Sequence, residues 1–132
     1  MLASNIEQLG PYLEGLDERA LNQLERTWPA PITFLVPDNG FCPPWVRGKH
    51  ASVALRVTTH PVVSQMTQVL DGPVVSTSAN RSGQPTFSTA AEIKLEIGME
   101  IEGVMEGELG PAQGASEIRD LISGRVIRQA SS

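Results

Sequence analysis

Two stretches of the chain hold side chains of the kind that handle anions. Arg56 interrupts the apolar run Ser52-Val53-Ala54-Leu55-Arg56-Val57, which otherwise reads as a strand. A guanidinium on such a strand needs a partner. An internal carboxylate and an anionic ligand both meet that need, and the stretch alone leaves the choice open. The second stretch is Val75-Ser76-Thr77-Ser78-Ala79-Asn80-Arg81-Ser82-Gly83-Gln84-Pro85-Thr86. Its hydroxyls, amide and backbone N–H groups offer many donors with little bulk, which suits phosphate or carboxylate. By composition the same residues also read as a loop whose side chains cap their own backbone. Further on, Ser116 precedes one apolar run and Arg128 closes another.

Hydroxyls at strand–loop junctions and arginines on strands supply positioning and charge neutralisation, not a covalent nucleophile. Phosphoryl or nucleotidyl transfer needs little beyond that and Mg²⁺. Other chemistries find less support. The chain contains no GxGxxG, GxxxxGK[ST], HExxH or GxSxG. His50 falls in a loop and His60 at a helix start, with nothing spaced to make either a metal ligand or a triad member. Cys42 is the single cysteine, which excludes an internal disulfide framework, and it has no flanking base, so it reads as an inert thiol. Glu100, Glu102, Glu106 and Glu108 read as a solvated face.

The 132 residues suit one domain with a real core, and 40% hydrophobic with 19% charged residues is a globular balance. The net charge of −5 and the lack of a Lys/Arg run argue against a large non-specific nucleic-acid footprint. Eight of the ten basic residues are arginine, the better bidentate partner for carboxylate and phosphate. No apolar run approaches a membrane span, and Met1–Glu7 lacks the basic and apolar regions of a signal peptide. A reducing cytoplasm is the expected compartment.

The elements that must position these groups can be read in order. Ser4 with Glu7 fits a capping box opening a helix that Gly10-Pro11 stops. Asp17 caps a helix to Thr27, with Ala20, Leu21, Leu24 and Trp28 on its apolar side. After the corner Trp28-Pro29-Ala30-Pro31, residues Ile32–Val36 read as a buried strand. Phe41–His50 is irregular and the most basic patch. Thr58-Thr59-His60-Pro61 starts a helix with a threonine cap and an apolar face of Val62, Val63, Met66, Val69 and Leu70. Gly72–Val75 reads as a short strand, and Thr89 with Glu92 caps a helix to Ile97 ended by Gly98. Glu100–Glu108 reads as an edge strand, 110–114 as loop, and 117–122 with 125–128 as a hairpin. Alternating strands and helices predict an α/β fold, an open, twisted mixed sheet with helices packed on it.

Trp28-Pro-Ala-Pro-Ile-Thr33, Ser52-Val-Ala-Leu-Arg56-Val57 with His60-Pro61, Ser76-Thr-Ser-Ala-Asn80-Arg-Ser-Gly83, Ser116-Glu-Ile-Arg-Asp120 and Val126-Ile-Arg128 together resemble successive blocks of the YrdC/TsaC family. The resemblance covers the chain from about Ser4 to Arg128. It implies a YrdC-like domain over 1–132 that makes L-threonylcarbamoyladenylate from L-threonine, bicarbonate and ATP, releasing pyrophosphate, for modification of adenosine 37 in tRNA. It places Arg56, Ser76 and Ser116 on L-threonine, and Ser52, Ser78, Asn80, Thr86 and Arg128 on ATP, with Asn80 holding either the loop or the nucleotide. It assigns no catalytic side chain and no protein metal ligand. Mg²⁺ would accompany ATP, and tRNA or other tRNA-modification proteins are the implied further partners. The family also carries an N-terminal part with a Lys-x-Arg block that is not found here. The chain therefore resembles the C-terminal two-thirds of the family domain, and a catalytically inactive nucleotide- or RNA-binding remnant of the same fold is the alternative.

Overall fold

Alternation of buried and half-buried side chains builds the sheet. On β3 (Ser52–Val57) Val53, Leu55 and Val57 are buried, while Ser52, Ala54 and Arg56 point to the opposite face. On β2 (Ile32–Pro37) Phe34 and Val36 are fully buried, with Thr33 and Leu35, the residues before each, on the other face. The computed structural model describes residues 1–110 and 115–130. It divides into two units, Met1–Val75 with Gly110–Ser132, and Ser76–Leu109.

In the first unit five strands run in the order β1-β3-β2-β4-β5, where β1 is Leu2–Ala3, β4 Glu117–Asp120 and β5 Val126–Arg128. β1 is parallel to β3, β2 antiparallel to β3, β2 parallel to β4, and β4 antiparallel to β5. The sheet is thus mixed, as the sequence predicts. Gly72–Val75 contributes only an isolated antiparallel bridge between Val74 and Leu2, not a strand. The turn between β4 and β5 is tied by Asp120, whose carboxylate accepts from the backbone N–H groups of Ile122 and Ser123 and from the Ser123 hydroxyl.

The helices that pack on the core face are α1 (Gly10–Leu13), preceded by a 3₁₀ turn over Glu7–Leu9, and α2 (Glu18–Thr27). Leu9, Leu13, Ala20, Leu24 and Trp28 meet Phe34, Val36 and Leu55 in one core. Asp17 caps α2 by accepting from the Ala20 N–H at 2.8 Å. Pro11 does not stop a helix as expected; it stands in the first turn of α1, where a missing N–H costs nothing. The cap shifts too. Asn5, not Ser4, accepts from the Gln8 N–H, because Ser4 turns its hydroxyl to Thr67 at 3.0 Å.

The basic stretch holds a single helical turn, α3 (Pro44–Arg47). The cap of α4 (Pro61–Leu70) is His60, whose Nδ1 accepts from the Val62 N–H; Thr58 instead receives the His60 N–H. The inward face of α4 is marked by buried Thr67, whereas Val69 and Leu70 are exposed, contrary to the apolar face expected. The second unit contains α5 (Ala90–Ile97), capped by Thr89. Glu100–Glu108 is not a strand. Its acids face solvent, and two of them pair locally, Glu100 with Arg81 and Glu106 with Lys94. Of the loop expected at 110–114, residues 111–114 lie outside the described residues. Among the described residues no helix is long and apolar enough to cross a membrane.

Candidate functional site

The strand register assembles part of the expected site inside the first unit. Arg56 on β3 and Thr33 on β2 each lie one residue beyond the Phe34–Leu55 pair. Thr33 is paired on its other side with Ile118 of β4, and Ile118 with Arg128 of β5. A stripe Arg56–Thr33–Ile118–Arg128 therefore crosses four strands on the face away from the core. Ser116, two residues before Ile118, joins the stripe through its hydroxyl, 3.0 Å from Thr33 Oγ1. Arg128 donates to the Ser116 carbonyl from Nε at 3.2 Å and from Nη2 at 2.8 Å.

Arg56 is half-buried, and its Nε meets no hydrogen-bond partner among the described residues. Burial draws its guanidinium below the ordinary arginine range, the direction set by desolvation of the charged form. Of the two partners left open by the sequence, the internal carboxylate is not there for Nε. A desolvated cation with a spare donor is what a bound carboxylate would satisfy. Ser52, four residues before Arg56, shares its face at a separation of about 13 Å along the strand. Arg119, which pairs with Phe34 across β2 and β4, is engaged differently. It lies on the core side, 5.9 Å over the Phe34 ring, and holds Glu117 at 2.6 Å.

The loop of the second unit keeps its own shape. Asn80 Nδ2 donates to the carbonyls of Arg81 and Gln84, and the Phe87 N–H bonds the Ala79 carbonyl. Gly83 has φ +77, a conformation few other residues take without strain. Arg81 is held by Glu100 and by the Glu96 carbonyl. Ser76, Ser78 and Thr86 are exposed, and their hydroxyls meet no hydrogen-bond partner among the described residues. The self-capping reading of this loop thus fits Asn80 and not the three hydroxyls assigned to ligands.

Among the described residues no group of three or more His, Cys, Asp or Glu side chains is placed to hold a metal. Asp120, next to the stripe, is committed to its turn, and the Ser123 N–H first of all holds its carboxyl below the usual range. Cys42 is buried, and burial pushes its thiol upward, in keeping with an inert role. An open surface depression of about 540 Å³ lies away from the stripe, beside the 3₁₀ turn, α1 and α2, lined by Ile6, Leu13, Leu21, Phe41, Glu14 and Glu25. It contains none of the expected ligand residues.

Sequence reasoning passed over Thr33. The signal was available: Phe34 and Val36 are the core pair of β2, so Thr33 has to share the face of Arg56.

The class defined by this fold is an α/β domain with a mixed sheet, whose face away from the core lines up a desolvated arginine, a hydroxyl pair and a second arginine, side chains of the kind that suit small anions. A threonylcarbamoyl-AMP synthase of Cellvibrio japonicus is 42% identical over 128 residues, which span 97% of this chain and 68% of that protein. The crystal structure of P. abyssi Sua5 complexed with L-threonine is matched at a TM-score of 0.79 and 25% identity, over 90% of this chain and 35% of that one. E. coli YciO is matched at a TM-score of 0.80 over 99% of this chain and 65% of that one, at 22% identity, a likeness of fold. The chain belongs to the Sua5/YciO/YrdC family, whose model, described as "Telomere recombination", matches residues 1–130.

Proposed function

We propose that the protein is a nucleotidyltransferase that forms L-threonylcarbamoyladenylate from L-threonine, bicarbonate and ATP, in the service of threonylcarbamoylation of tRNA. The observation that carries this reading is identity of 42% or more to proteins named threonylcarbamoyl-AMP synthase, sustained over 97% or more of the chain.

In this reading Arg56 takes the threonine carboxylate, which supplies its Nε with an acceptor, and Ser116 adds a hydroxyl beside it. Ser52 and Arg128 are placed on ATP. Ser76 on threonine and Ser78, Asn80 and Thr86 on ATP follow from the resemblance of the Ser76–Thr86 block. The amino group of threonine takes up carbon dioxide from bicarbonate to give a carbamate. A carbamate oxygen attacks the α-phosphorus, the bond from that phosphorus to the β-phosphate oxygen breaks, and pyrophosphate leaves. No side chain is required as nucleophile; orientation and charge neutralisation carry the step. Mg²⁺ would enter with the triphosphate rather than in a protein cage, and there it would draw charge from the leaving group. The proposed setting is cytoplasmic, with tRNA and other tRNA-modification proteins downstream.

The test is pyrophosphate release by the purified chain in ATP, L-threonine, bicarbonate and Mg²⁺. Release that depends on threonine is the expected outcome. ATP binding without release would turn the reading to the binding-only remnant. Absence of ATP binding would remove the assignment of Ser52, Ser78, Asn80, Thr86 and Arg128.

A further inference from the structure

The Thr33–Ser116 hydroxyl pair is a contact that the reaction as described does not use. Thr33 sits on β2, which is bonded to a strand on both sides. It is β-branched, so its side-chain torsion is restricted. Ser116 is different. It stands just outside β4, and a serine hydroxyl has three staggered positions and a freely turning proton. Its backbone is fixed by the Glu117 N–H on the Pro31 carbonyl and by Arg128 on its own carbonyl. What selects its side-chain position is Thr33 Oγ1 at 3.0 Å.

We infer that Thr33 is a positioning residue for L-threonine, holding the Ser116 hydroxyl toward the amino acid that Arg56 binds. This rests on the proposed placement of threonine at Arg56 and Ser116. When Thr33 donates to Ser116 Oγ, the Ser116 proton is left to donate to an anionic oxygen. Thr33 thereby fixes direction as well as place. Its effect falls on threonine and not on ATP, because its hydrogen bond goes to the Ser116 side chain.

Calorimetric titration of L-threonine and, separately, of ATP tests this with four chains: wild type, Thr33→Val, Thr33→Ser and Ser116→Ala, plus the Thr33→Val/Ser116→Ala double variant. Thr33→Val keeps shape and strand preference but removes the hydroxyl. Threonine affinity should fall about fivefold, the factor attached to one neutral hydrogen bond, with ATP affinity unchanged. Thr33→Ser should restore most of the loss. In the Ser116→Ala background Thr33→Val should add nothing. Full additivity of the two changes, an equal loss of ATP affinity, or failure of serine to restore binding would each overturn the inference. Wild-type binding of threonine with no effect of Thr33→Val would overturn it while leaving the proposed function intact. No threonine binding by the wild type would overturn both.

Discussion

Replacing Arg56 by methionine should make the protein more stable and worse at binding threonine. The guanidinium Nε is buried without a hydrogen-bond partner among the described residues. An unsatisfied buried donor costs about 1–3 kcal/mol, more when it is charged. Methionine keeps a flexible apolar stem and drops the charge, so the apolar part of the side chain is retained on that face. A gain of about 1–2 kcal/mol corresponds to roughly 4–8 °C in Tm for a domain of this size. Against that, loss of charge-assisted bonds to a carboxylate should weaken L-threonine binding by about 10- to 100-fold. The assay pairs thermal unfolding with calorimetric titration of L-threonine. Loss of several degrees of Tm in Arg56→Met would show that the guanidinium stabilises the sheet. Unchanged threonine affinity would remove it from the site.

Other substitutions test the frame. Phe34→Ala should cost about 3–5 kcal/mol in unfolding free energy, because Phe34 is fully buried and holds edge contact with Trp28 at 5.5 Å; a cost under 1 kcal/mol would mean that the core face is wrongly placed. Asp17→Ala should cost about 1 kcal/mol through the lost cap of α2, read by urea midpoint at constant slope. Asp120→Asn should lower Tm at pH 7. The folded carboxyl lies below its unfolded value, so its contribution is present above the ordinary carboxylate range and is lost as pH falls through the folded value. The difference from wild type should therefore shrink in acid; a constant difference would place the effect elsewhere.

The strand over Ser52–Val57 was legible as an apolar run carrying one charge, and the structure resolves it into two faces, Val53, Leu55 and Val57 on one and Ser52, Ala54 and Arg56 on the other. Asp17 and Thr89 also cap where local chemistry puts them. Reading failed where neighbours compete. Ser4 and Asn5 can both cap, and the choice fell to Asn5 because Thr67, 63 residues away, takes the Ser4 hydroxyl. Glu100–Glu108 offered a strand-like mix, but a strand exists only with a partner edge, and its glutamates are drawn to Arg81 and Lys94 instead. At the site Arg56 stood out because charge on an apolar strand is unusual. Thr33 did not, since threonine is an ordinary strand residue. Only the pairing of β2 with β4 reveals what its hydroxyl reaches.

That pairing also sets when the site can exist. Thr33 and Ser116 are separated by 83 residues, so their contact closes a long loop before any local reward is gained. On a growing chain β2 and β3 can pair early, and Arg56 then stands on a sheet with no Ser116 or Arg128 beside it. The stripe proposed to bind anions is completed only after β4 has been made and docked. Any chain interrupted before Ser116 would keep the arginine and lack the hydroxyl meant to work with it.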